Sequence, residues 1–129
     1  MGSEVPKQFL LLRNQPILLH TLESFSKALA DAKFILVLPP NEKERWKELA
    51  AGTRFSDIQL ADGGATRFES VKSGLDFVPS DCLVGVHDAV RPLASVETIQ
   101  SVFRKAEEKK AAIPVIDLKD SICTIENDQ

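Results

Sequence analysis

Asp88 and Arg91, a carboxylate and a guanidinium three residues apart, lie in the run Val86-His87-Asp88-Ala89-Val90-Arg91-Pro92, directly after the apolar stretch Leu83-Val84-Gly85-Val86. In an open parallel sheet, ligands gather beyond the carboxyl ends of the strands, where loops diverge and helix N-termini point free N–H groups outward. From there Asp88 could reach a magnesium ion carried by a triphosphate, which commonly takes one or two protein carboxylates and completes its shell with phosphate oxygens. It could equally cap its own turn or pair with Arg91. The planar fork of Arg91 suits bidentate phosphate recognition, and a surface arginine would look the same in sequence. His87 is the customary first guess for a base, but between an apolar strand and Asp88 it reads as an orienting or structural residue.

Two further groups could join this chemistry. Gly63-Gly64 lets the backbone pass close to a ligand, with no side chain to intervene. In the helical turn that follows, Ser70 could offer its hydroxyl to a pyrimidine edge, whereas Thr66 reads as a helix cap. Lys7, in Pro6-Lys7-Gln8-Phe9-Leu10, is held by a proline on one side and apolar residues on the other. It could neutralise charge growing on phosphates, or simply be solvated.

The elements that must position these groups alternate along the chain. Asn14 and Pro16 mark a helix start, and Ile17, Leu18, Leu22, Phe25 and Leu29 recur on one helical face. Phe34 to Leu38, closed by Pro39-Pro40, has the form of a strand buried on both faces. A helix over Glu42 to Ala50 and a strand over Ile58 to Ala61 follow. Next come a helix with Val71 and Leu75 on its inner face, the strand Leu83 to Val86, a helix from its cap Ser95 to about Lys110, and a strand over Ala111 to Val115. This order predicts an α/β fold, a mostly parallel sheet with helices on both faces, in one domain over 1–129.

Composition sets the bounds. With 43% hydrophobic and 27% charged residues, the chain falls in the range of globular domains and outside that of disordered ones. No apolar run approaches a membrane span, and a net charge of −3 with scattered basic residues leaves no footprint for nucleic acid. The expected setting is the cytoplasm, with no membrane or nucleic-acid partner. Cys82 and Cys123 are far apart, and Cys82, at the start of an apolar strand, reads as a small buried thiol with no zinc site around it.

Read in order, the pieces Pro6-Lys7-Gln8-Phe9, Pro16-Ile17-Leu18, His20-Thr21-Leu22-Glu23, Gly63-Gly64-Ala65-Thr66-Arg67-Phe68-Glu69-Ser70-Val71, His87-Asp88-Ala89-Val90-Arg91-Pro92 and Lys119-Asp120-Ser121-Ile122 resemble the cytidylyltransferases that load CMP onto a polyol phosphate. The nearest resemblance is to the 2-C-methyl-D-erythritol 4-phosphate cytidylyltransferase family. It implies a Rossmann-like nucleotidyltransferase domain that takes CTP and a polyol phosphate with Mg2+ or another divalent cation, works as a homodimer, and serves non-mevalonate isoprenoid precursor synthesis. By the same resemblance Lys7 and Asp88 are catalytic, with Asp88 also near metal and substrate. Gly64, Ala65, Ser70 and Ala89 bind the nucleotide. Arg91 and Ser121 bind the acceptor, and the segment from Ser121 to Ile125 starts a dimerisation arm.

Family members open with a strand and a glycine-rich phosphate loop ending in Arg-Met-Gly, and this chain begins at Met1-Gly2. They also continue well past the position of Gln129. The expectation is therefore a domain incomplete at both ends, part of a longer polypeptide. Two alternatives stand beside it: ribitol 5-phosphate cytidylyltransferase, which shares the Pro-Lys-Gln and His-Asp-x-x-Arg-Pro patterns, and a catalytically inactive fragment acting only as a binding module.

Overall fold

The computed structural model describes residues 5–117. Two parallel strands form its centre: β3 (Ile35–Leu38) pairs with β4 (Gln59–Asp62), with Ile35 opposite Gln59 and Leu38 opposite Asp62. They are preceded by a short antiparallel hairpin, β1 (Leu11–Leu12) with β2 (Gln15–Pro16). The described residues also hold four α-helices, α1 (Ile17–Ala28), α2 (Lys43–Ala50), α3 (Arg67–Leu75) and α4 (Val96–Lys109), and two short 3-10 turns at Lys7–Phe9 and Pro40–Glu42.

Alternation along β3 explains the layering, because successive side chains of a strand point to opposite faces. Leu36 and Leu38 enter one core with Leu18, Leu19 and Leu22 of α1, Trp46 and Ala50 of α2, Phe9 and Phe55. Ile35 and Val37 face α3, whose buried Gly74 brings its backbone against the strand; a Cβ there would stand 3.0 Å from Val37 Cγ2. The sheet thus carries helices on both faces, as the alternation of elements predicts. α4 packs along α1, where Gln100 donates to the Ala28 carbonyl at 3.0 Å.

Several expectations need correction. Asn14 does not start the helix. With Arg13 it forms a two-residue hairpin turn, both at positive φ (51° and 63°), and α1 begins only at Ile17. A hairpin loop of this length favours positive φ at both central residues, since its twist then matches that of the strands. Leu75 is exposed, and the inner face of α3 centres on Gly74. Leu83 to Val86 is not a strand, and its apolar side chains are about half exposed. Residues 111–115 are likewise irregular, with Ile113 and Val115 80% exposed. Both runs have strand composition, but a ladder also needs a neighbouring backbone to pair with, and among the described residues neither has one. Cys82, expected buried at the head of that strand, is exposed, its thiol donating to the Pro79 carbonyl at 3.3 Å. Cys123, Ser121 and the proposed arm lie outside the described residues. No helix among the described residues is long and apolar enough to cross a membrane.

Candidate functional site

The site grows from the carboxyl end of the parallel pair. Gly63 N–H donates to the Leu38 carbonyl at 2.8 Å, extending the ladder one bond past β4 and delivering the chain to Gly64 at the strand ends. Thr66 then caps α3. Its Oγ1 accepts from Glu69 N at 3.1 Å while Glu69 Oε2 accepts from Thr66 N at 2.9 Å, a reciprocal pair that satisfies two otherwise free amides. The capping expected of Thr66 is thereby met.

Ser70 closes this turn from inside. Its hydroxyl donates to the Thr66 carbonyl at 3.0 Å and accepts from Gly64 N–H at 3.0 Å. A hydroxyl has one proton and two lone pairs, so with its proton on Thr66 it keeps one acceptor position free. Gly64 is required by space as well: a Cβ there would lie 2.4 Å from Glu69 Cβ. Ala65 is exposed at the outer edge of the same turn.

The second turn holds Asp88 to Arg91, with Arg91 N–H donating to the Asp88 carbonyl at 3.1 Å. Thr21 fastens it to the core. This buried threonine donates from Oγ1 to the Ala89 carbonyl at 2.9 Å, with the Ile17 carbonyl 3.2 Å away as a shared acceptor. His87 has the structural role expected of it, its ring centroid 4.7 Å from that of Phe25 and its Nε2 3.1 Å from the Arg91 carbonyl.

The two turns meet at Asp88. Arg67 Nη1 donates to Oδ1 at 2.6 Å and Arg91 Nε donates to Oδ2 at 2.9 Å, so a single carboxylate is held between two guanidinium groups. The hydrogen bond from Arg67 is the main reason that the Asp88 carboxyl lies below its usual range; burial, the next largest effect, opposes it, and the charges of Arg67 and Arg91 together with the Arg91 hydrogen bond leave the net direction downward. A group with a depressed folded value stabilises the protein above its unfolded pKa and loses that contribution as pH falls through the folded value. Acidification below the ordinary carboxylate range should therefore release the clamp, whereas raising pH through neutrality should not. A carbon-detected NMR titration of Asp88 with a midpoint at or above 3.8 would contradict this arrangement.

The structure thus gathers Gly64, Ala65, Ser70, Asp88, Ala89 and Arg91 around two linked turns. Lys7 is exposed on the helical turn Lys7–Phe9, which the buried Phe9 anchors; among the described residues no hydrogen bond or ion pair ties its ammonium to Asp88 or to the 64–70 turn. Two contributors carried no role in the sequence reading, Arg67 and Thr21. Arg67 gives no local signal, since its partner is 21 residues away. Thr21 does, as a polar residue one turn after Ile17 and one turn before Phe25 on an otherwise apolar stripe.

Among the described residues no group of three His, Cys, Asp or Glu side chains is placed to hold a metal ion. A carboxylate offers about four lone-pair positions, so the two arginines, with one contact each, leave Asp88 about two positions for a further partner. The donor set fits a cation that arrives with most of its ligands already supplied.

Comparison with known proteins adds an independent result. The family model for 2-C-methyl-D-erythritol 4-phosphate cytidylyltransferase matches residues 1–129. A protein of that name from Bacteroides thetaiotaomicron is 49% identical over 123 residues, covering 95% of this chain and 56% of the relative. Its namesake from Porphyromonas gingivalis is 46% identical over 123 residues, 95% of this chain and 54% of the relative. A bifunctional enzyme IspD/IspF from Desulfotalea psychrophila is 36% identical over 95% of this chain and 32% of its own length. The chain spans little more than half the length of the single-function relatives.

Proposed function

The chain belongs to the 2-C-methyl-D-erythritol 4-phosphate cytidylyltransferase family, and on that premise we propose that its parent protein moves CMP from CTP to 2-C-methyl-D-erythritol 4-phosphate and releases pyrophosphate. The observation that carries this reading is the Arg67–Asp88–Arg91 clamp, which ties a turn suited to a base to a turn suited to a phosphate.

In this reading a phosphate oxygen of the acceptor attacks the α-phosphorus of CTP in line, forming one P–O bond as the bond to pyrophosphate breaks. The nucleophile is already anionic at neutral pH, so placement and charge neutralisation supply most of the acceleration. Gly64 and Ala65 take the cytosine against the backbone. Ser70, with its proton committed to Thr66, accepts from the exocyclic amine of cytosine, a group that uracil lacks. Ala89 lies beside the ribose, Arg91 binds the acceptor phosphate, Lys7 neutralises the nucleotide phosphates, and Ser121 contacts the acceptor. Asp88 would be the protein group that holds a divalent cation such as Mg2+, which would supply neutralisation of the triphosphate charge. A cytoplasmic homodimer, with 1–129 as part of one nucleotidyltransferase domain, completes the proposal.

The test is pyrophosphate release by the full-length protein from CTP and Mg2+, with 2-C-methyl-D-erythritol 4-phosphate and ribitol 5-phosphate offered separately. Turnover with the first is expected. Turnover with ribitol 5-phosphate alone, or with neither, overturns the assignment.

A further inference from the structure

Arg67 is the first residue of α3, where the free N–H groups of a helix disfavour positive charge. Glu69, two residues on, suits that position and Arg67 does not. Its side chain is 70% exposed, yet its guanidinium is held 2.6 Å from Asp88. An ion pair so open to water adds little stability, because solvent screens it and two side chains lose freedom to form it. A cation at the unfavourable end of a helix, held in a contact of small energetic value, is the kind of local inconsistency that a functional site explains.

The geometry shows what that contact does. It crosses between the turn at 64–70 and the turn at 88–91, and it occupies the carboxylate oxygen that Arg91 leaves free. With both oxygens engaged, the Asp88 carboxylate is fixed in rotation. With Arg91 alone it could turn to receive that arginine through both oxygens, drawing Arg91 away from an incoming phosphate.

We propose that Arg67 is a positioning residue for the transfer, setting the spacing between the turn that receives the base and the turn that presents Asp88 and Arg91 to the acceptor. This rests on the function proposed above. Arg67 acts through Asp88, so its loss falls on use of the acceptor and leaves recognition of the base largely intact.

The experiment compares Arg67→Gln and Arg67→Lys with the wild type in the full-length protein, reading thermal midpoint, CTP affinity by calorimetry, and kcat and KM for the acceptor. Arg67→Gln should lower kcat/KM for the acceptor by roughly 10- to 100-fold, with midpoint and CTP affinity close to wild type. Arg67→Lys should recover part of the loss, since an ammonium can make one charge-assisted bond to Asp88 but lacks the fork. Wild-type turnover in Arg67→Gln overturns the proposal. So does a loss of CTP affinity equal to the loss of turnover, which would make Arg67 a nucleotide ligand, or a fall in midpoint that accounts for the lost rate. An inactive wild type sinks the functional reading itself, and this is seen before any variant is made.

Discussion

Asp88→Asn in the full-length protein should depress kcat/KM for the acceptor by roughly 10²-fold or more while shifting the thermal midpoint little. The amide matches the carboxylate in size but not in charge, and it turns an N–H group toward one of the two arginines that now donate to Asp88. Two guanidinium groups are then left side by side without their shared counter-ion, and neither keeps its direction. Stability should change much less. Both arginine side chains are more than two-thirds exposed, and ion pairs of this kind contribute little to folding. Steady-state kinetics beside a melting curve checks the split, and a variant that loses activity only in step with its folded fraction would remove Asp88 from the chemistry.

Gly64→Ala should weaken CTP binding by roughly 5- to 150-fold, through the turn and not through any lost polar group. The new methyl would sit 2.4 Å from Glu69 Cβ and 3.2 Å from the Glu69 carbonyl carbon, so no side-chain rotation relieves it. The first turn of α3 would have to move. That opens the reciprocal bonds between Thr66 and Glu69 and separates Gly64 N–H from Ser70. Forcing a methyl into such a space typically costs about 1–3 kcal/mol, an amount that as binding energy spans roughly 5- to 150-fold. Calorimetry with CTP and Mg2+ reads it directly. Undiminished affinity in Gly64→Ala would show that the base does not rely on this turn.

What could be read from sequence follows from where each interaction keeps its partners. Thr66 and Ser95 were legible as caps because the amides they satisfy lie three residues ahead. β3 and β4 were legible because their apolar runs are short and closed by turn residues. Leu83 to Val86 carries the same signature without forming a strand, since composition reports fitness for burial and says nothing of the backbone beside it. The two linked turns were legible as separate motifs. Their junction was not, because the pairing of Arg67 with Asp88 is set by tertiary structure alone. The hairpin at Arg13-Asn14 was hidden by Pro16, whose signal as a helix start is stronger than that of a turn lacking glycine.

Thr21 gives α1 a mechanical part in this arrangement. Its hydroxyl holds the Ala89 carbonyl, while one residue on Leu22, and one turn back Leu18, are locked in the core. The height and rotation of the Asp88 turn are thus referenced to hydrophobic packing and not to any ligand contact. The hydrogen bond is 2.9 Å long, so a rotation of α1 that carries the Thr21 hydroxyl beyond about 3.2 Å from the Ala89 carbonyl would release the loop. Changes in core volume at Leu18 or Leu22 would therefore displace the Asp88 turn without touching any residue of it.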